Sequence, residues 1–159
     1  MSERHCCSVR LIVTGSDLDP DAVTAALGME PDRSWRRGER KSFTRRDGSV
    51  RQFESIHEEG GWARRIPDRY RDEPLDRQLF IWVARLRELS DALRALRRRG
   101  WVIELDCFAA TSEVVVLSHE DLGGIADLGI DLGLTLACGP GRLAPREAEP
   151  SPGSASGEP

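Results

Sequence analysis

The sequence predicts an α+β domain, a mainly antiparallel sheet with helices packed on one face. Three observations carry this. Leu75, Leu79, Trp82, Leu86, Leu89, Leu93 and Leu96 recur at spacings of four and three, which lays them along one side of a helix. After Gly100, which lets the chain leave a helix left-handed, the pattern switches to period two, with Trp101, Ile103, Leu105 and Cys107 facing one way. Finally, LIVTGSDLDPDAVTAALGME and VVVLSHEDLGGIADLGID both read strand, polar cap, short helix, Leu-Gly, strand. A long helix therefore feeds a strand that it should cover, between two strand–helix units.

The chain has 159 residues, which favours one domain with a core large enough to need no staples. The expected domain spans residues 1–138. From Gly139 the chain is rich in Pro, Gly, Ser and Glu, with little to bury, and reads as a disordered tail. The net charge is −4, but it is unevenly spread. Residues 31–71 hold twelve bases against seven acids, and residues 101–159 ten acids against two bases. A basic middle thus precedes an acidic end. No apolar run is long enough to span a membrane, and MSERHCCSVRLIVTG lacks the features of a secretory signal. A cytoplasmic protein with its four cysteines as thiols is expected.

In chain order, His5-Cys6-Cys7 matches no common zinc spacing and reads as the lead-in to a strand. Val9, Leu11 and Val13 alternate with Arg10, Ile12 and Thr14, as in a half-buried strand. Asp19 caps a short helix with Pro20 in its first position, about Pro20 to Leu27, which closes on Gly28. Ser34 to Glu39 reads as a short strand, Asp47-Gly48 as a turn, and Val50 to Ile56 as a strand. Gly60-Gly61-Trp62 opens another extended piece, and Asp68 to Pro74 is turn-rich. This middle third should be the least regular part of the domain.

Beyond the organising helix and strand, Glu113 to Leu117 reads as a strand forming a hairpin with the preceding one. Ser118 and Asp121 then resemble a capping box. They start a helix from about His119 to Leu128, stopped by Gly129. Ile130, Leu132, Leu134 and Leu136 alternate as a last strand. Two strand–helix units around a long helix fit a duplicated sandwich with a ferredoxin-like layout. The leucine seam has a rival use as a coiled-coil dimer. Ser90-Asp91, a fresh helix start inside the seam, and a sheet needing cover both favour the core.

Thr24, Leu27, Gly28, Pro31, Ser34, Trp35, Gly38 and Glu39 form the pattern T..LG..P..SW..GE. With Gly61-Trp62, the leucine-rich helix ending at Gly100 and LSHEDLGGIADLGIDLGL, the chain resembles a bacterial family known as domain of unknown function 4279. The resemblance covers roughly Val9 to Ala137. It implies an α+β domain and no particular activity. The stretches Lys41 to Arg51 and Ala63-Arg64-Arg65 depart from it.

No phosphate loop, dinucleotide fingerprint, serine-hydrolase elbow, HExxH or paired CxxC is present. His5, His57 and His119 are scattered, and His119 reads as a solvated first-turn residue. Glu104 and Asp106 share a strand face, with Arg10, Asp131 and Thr135 expected beside them. A carboxylate pair can perform acid–base work if one pKa is raised, whereas polar residues alternating on a wet sheet face need no function. Trp35, Arg36, Arg37, Gly38, Trp62, Arg64 and Arg65 form a group in which aromatics interleave with arginines, as on surfaces that stack bases and neutralise phosphates. Glu39, Glu58 and Glu59 dilute that charge. Core closure by the two tryptophans and a groove for a protein or ligand are the competing uses.

The reading that results is a small non-enzymatic binding module, with no cofactor and no metal. Its partner is another protein, an immunity-type interaction being one concrete version. The contacts fall on Trp35, Arg36, Arg37, Glu39, Trp62, Glu104 and Asp106. The alternatives are nucleic-acid binding through the Trp/Arg segment and a small enzyme using the carboxylate pair.

Overall fold

The computed structural model describes residues 6–45, 47–110 and 115–137. In chain order these form β1 (Cys6–Gly15), α1 (Pro20–Leu27), β2 (Arg33–Trp35), β3 (Arg40–Thr44), β4 (Val50–Ile56) and β5 (Gly60–Arg65). A 3-10 turn at Asp68–Tyr70 leads to α2 (Leu75–Glu88), α3 (Ser90–Arg98), β6 (Val102–Ala110), α4 (His119–Leu128) and β7 (Asp131–Ala137).

The elements begin and end for local reasons. Asp19 caps α1, accepting the N–H of Asp21, with Pro20 in the first turn. Ser118 caps α4 by accepting the N–H of Asp121 at 3.0 Å. Gly28 and Gly129 close these two helices in left-handed conformation. The long helix expected from the leucine seam is divided. Leu89 sits at φ −105, ψ 15, outside helical geometry. The residues that follow, Ser90 and Asp91, compete for local backbone groups and favour the start of a helix over its interior. The seam survives the break, with Leu79, Leu86 and Leu93 fully buried.

Five strands make one sheet in the order β2-β5-β1-β6-β7. β1 is antiparallel to both β5 and β6, and β5 is antiparallel to β2. The order β2-β5-β1-β6, with α1 and the α2–α3 pair as crossovers, is that of a ferredoxin-like βαββαβ unit. It occurs once. The β3–β4 ribbon is inserted between β2 and β5, and α4–β7 is added beyond β6. β7 runs parallel to β6, a pairing that needs a crossover, and α4 supplies it.

Besides the divided helix and the single, not duplicated, ferredoxin-like unit, two sequence-based expectations change. The hairpin partner proposed for β6 is not a strand where it is described. Residues 111–114 lie outside the described set, and Val115 to Leu117 carry no strand. Val115 and Leu117 pack against the core, and β7 takes the place beside β6. The middle third is also more regular than expected, because residues 33–65 contain four strands. The expected tail lies outside the described residues.

The helices cover one face of the sheet. Val9, Leu11, Val13, Trp62, Ile103, Leu105 and Cys107 meet Leu79, Trp82, Leu86, Leu93 and Leu96 in one core. Gln78 is the only polar side chain buried there among the described residues. Its Oε1 accepts the Val9 N–H at 3.1 Å, and its Nε2 donates to the Glu73 carbonyl at 2.8 Å. This ties the start of α2 to the central strand.

Candidate functional site

The other face of the sheet carries the polar members of each alternating strand. Register places them in rows. One row runs Arg33, Ala63, Ile12, Glu104, Asp131 from β2 across to β7. Beside it runs Arg65, Arg10, Asp106, Gly133. On the other side lies Trp35, Gly61, Thr14, Val102. Glu104 and Asp106 thus share this face with Arg10 and Asp131, as their parity along the strands predicts.

The β6–β7 end is acidic. Arg10 and Asp106 form an ion pair, with Arg10 Nε donating to Asp106 Oδ2 at 3.0 Å and Nη2 donating to the same oxygen. Glu104 lies diagonally across, half-buried, with its Oε1 over Gly133. A Cβ at position 133 would overlap that oxygen, so only glycine leaves room for it. Burial raises the pKa of Glu104, and the carboxylates of Asp106 and Asp131 push it further, against the opposing pull of Arg10. Three acids therefore share this end, and the guanidinium beside them, that of Arg10, is already bound to Asp106.

The β2 end is aromatic. Trp35 lies flat over Gly61, where any side chain would collide with the indole. His57 stacks on Trp35 with ring centroids 5.0 Å apart and planes at 23°. The Arg33 guanidinium sits 5.5 Å from the Trp35 ring and donates to the Ser42 carbonyl at 2.6 Å. Burial lowers the pKa of His57, aided by Arg33 and Lys41 and opposed by Glu39. These contacts root the β3–β4 ribbon on the same side of the sheet as the acidic end.

The other expected site residues are placed elsewhere. Trp62 is fully buried on the helix-covered face, and its indole N–H donates to Thr24 Oγ1 at 3.1 Å. It closes the core and offers nothing to a ligand. Arg36 bridges Asp19 and Asp21 at 2.9 and 3.1 Å, at the start of α1. Arg37 and Glu39 are exposed in the turn between β2 and β3, and the Glu39 carbonyl accepts the His57 N–H. Arg64 donates to the Glu30 carbonyl. The Trp/Arg segment therefore does not assemble as one surface.

His57 and Gly133 escaped the reading of the sequence. A glycine between Leu132 and Leu134, on the parity of Asp131, was the available signal for the second. Nothing local marks His57 as the partner of Trp35. Among the described residues, no group of three or more His, Cys, Asp or Glu is arranged to hold a metal ion. Nor is any described helix long and apolar enough to cross a membrane.

Fold and face together define a ferredoxin-like α+β domain, with one sheet face covered by helices except along the end of β7 and the other exposing polar and aromatic groups. The family model described as Domain of unknown function (DUF4279) matches residues 5–139. The chain belongs to that family. Comparison with curated proteins and comparison with solved structures each gave no match.

Proposed function

We propose that this protein is a non-catalytic binding module whose open sheet face receives an arginine or lysine side chain from a protein partner. The observation that carries this is Glu104: a half-buried carboxylate beside Asp106 and Asp131, with the nearest cation already paired. A cation placed there relieves the repulsion among the three acids and restores favourable ionisation of Glu104. Shielding by the sheet strengthens such a pair relative to open water. The aromatic end offers the half-buried edge of Trp35 at the rim, its ring already packed on Gly61 and His57, and tryptophan is the kind of residue that anchors interfaces.

The same charges argue against nucleic acid on this face, because phosphates would meet Glu104, Asp106 and Asp131. Acid–base catalysis is less well supported, since Asp106 is engaged by Arg10. A cytoplasmic immunity-type module, masking a basic surface of a toxin, is the concrete form that fits these charges. The folded unit in this reading is residues 1–138, with the remainder a tail.

The test uses N-acetyl-arginine amide as probe, followed in two-dimensional amide spectra of the full chain. Shifts should cluster on β1, β6 and β7 around Glu104 and vanish in Glu104→Gln. Shifts scattered over the surface, or none at millimolar probe, would overturn the reading.

A further inference from the structure

The β3–β4 ribbon has no counterpart in the ferredoxin-like unit and packs on little of it. All seven residues of β4 are exposed, and Phe43, Val50, Phe53 and Ile56 are each more than 40% exposed. An isolated two-stranded ribbon is marginal in water, so this much bare apolar surface implies cover. The ribbon is also basic. Residues 40–56 hold Arg40, Lys41, Arg45, Arg46 and Arg51 against Asp47 and Glu54. Phe43 stands opposite Arg51 in the register, and Phe53, two residues on, shares their side. The Arg51 guanidinium lies 5.5 Å from the Phe53 ring. One side of the ribbon therefore presents two aromatics and a cation.

We infer that the occupant of the open face is a second copy of this chain, each ribbon lying across the acidic β6–β7 end of its partner. The inference rests on the proposed reading of that face as a receptor for cations and names who supplies the cation. Charge complementarity selects the arrangement. Ribbon and acidic end lie on the same side of the sheet but at opposite edges, about 14–19 Å apart at the spacing of neighbouring strands. Two sheets placed face to face about a two-fold axis parallel to the strands bring the β2 edge of one over the β6–β7 edge of the other. Both ribbons then meet acids. A two-fold axis across the strands would instead set ribbon against ribbon and acid against acid. The seven residues of β4 extend about 24 Å, enough to cross the partner's face. The interface is isologous and closes on itself, so it stops at a dimer.

Sedimentation equilibrium of the full chain tests this over a range of protein and salt concentrations. A monomer–dimer equilibrium is expected, weakening as salt screens the charges. Lys41→Glu with Arg51→Glu should weaken it more than about tenfold. The positions are exposed, so unchanged circular dichroism will show that the fold is kept. Adding Glu104→Lys and Asp131→Lys to that variant should restore the dimer, because both charge patterns are then reversed. A monomer at every concentration, a dimer indifferent to ribbon reversal, or failure of the combined reversal overturns the inference. If the chain is monomeric while N-acetyl-arginine amide still perturbs the Glu104 region, the cation-receiving face stands and only the second copy is excluded. If the amide also leaves that region unperturbed, both readings fall.

Discussion

Glu104 Oε1 occupies the space above Gly133 that a side chain on β7 would fill. The carboxylate thereby lies against the β7 backbone, where the charges of Asp106 and Asp131 act on it. Glycine weakens a strand interior by its flexibility, and here that weakness is offset by the room it leaves for the carboxylate.

Gly133→Val should therefore expel the Glu104 carboxylate without unfolding the sheet, since β-branched residues suit strands. The expected result is a cooperative unfolding transition close to wild type, with binding of N-acetyl-arginine amide lost. Retained binding would mean that the position of Glu104 does not matter to the face.

The raised pKa of Glu104 has a definite consequence for stability. The folded state disfavours the carboxylate more than the unfolded state does. The contribution of this group is thus fully present below its ordinary value of 4.5 and is lost as pH rises through the higher folded value. Glu104→Gln escapes the loss. Its melting temperature relative to wild type should be flat below pH 4.5, climb above it, and level off once Glu104 is ionised. A difference independent of pH across that window would contradict the assigned environment.

Gln78 is the buried polar link between α2 and β1. Gln78→Leu keeps the volume but orphans the Val9 N–H and leaves the Glu73 carbonyl with only the Cys7 thiol as donor. An unsatisfied buried group costs about 1–3 kcal/mol, so a loss of that size is expected in denaturant unfolding, with the slope unchanged. Gln78→Glu should be worse at neutral pH, because a charge would be buried without a cation.

Cys107 lies on the helix-covered face of β6, fully buried. Burial first, then Asp106 and Glu104, push its thiol pKa up to about 12. The thiolate is the nucleophile, so Cys107 should resist iodoacetamide at pH 8 in the native protein and react once it is unfolded. Peptide mapping of the alkylated protein reads this directly. Rapid native labelling at Cys107 would show that the β6–helix packing opens readily.

Much of this fold was legible in local order. The caps at Asp19 and Ser118, the stops at Gly28 and Gly129, and the alternation in β1, β6 and β7 depend on neighbours within a few residues. The helical seam from Leu75 to Leu96 also belongs to this class, and its break at Leu89 was foreshadowed by Ser90-Asp91. The shared face of Glu104, Asp106, Arg10 and Asp131 followed from strand parity alone.

The tertiary structure decided the rest, because alternation tells a strand that it has two faces and not which strand lies beside it. That β7 takes the place beside β6, with Val115 to Leu117 forming no strand, depends on α4 carrying the chain back along the sheet. Trp35 and Trp62 look alike in sequence, yet register against β5 and β1 puts one on the open face and the other in the core. Arg36 resembled a free cation until the fold set it beside Asp19 and Asp21. The amino-acid order by itself determined the elements and the polarity of their faces, since both arise from contacts close along the chain. Which charges and rings meet across strands was decided only by pairing residues far apart in sequence, and the candidate site is made of such pairs.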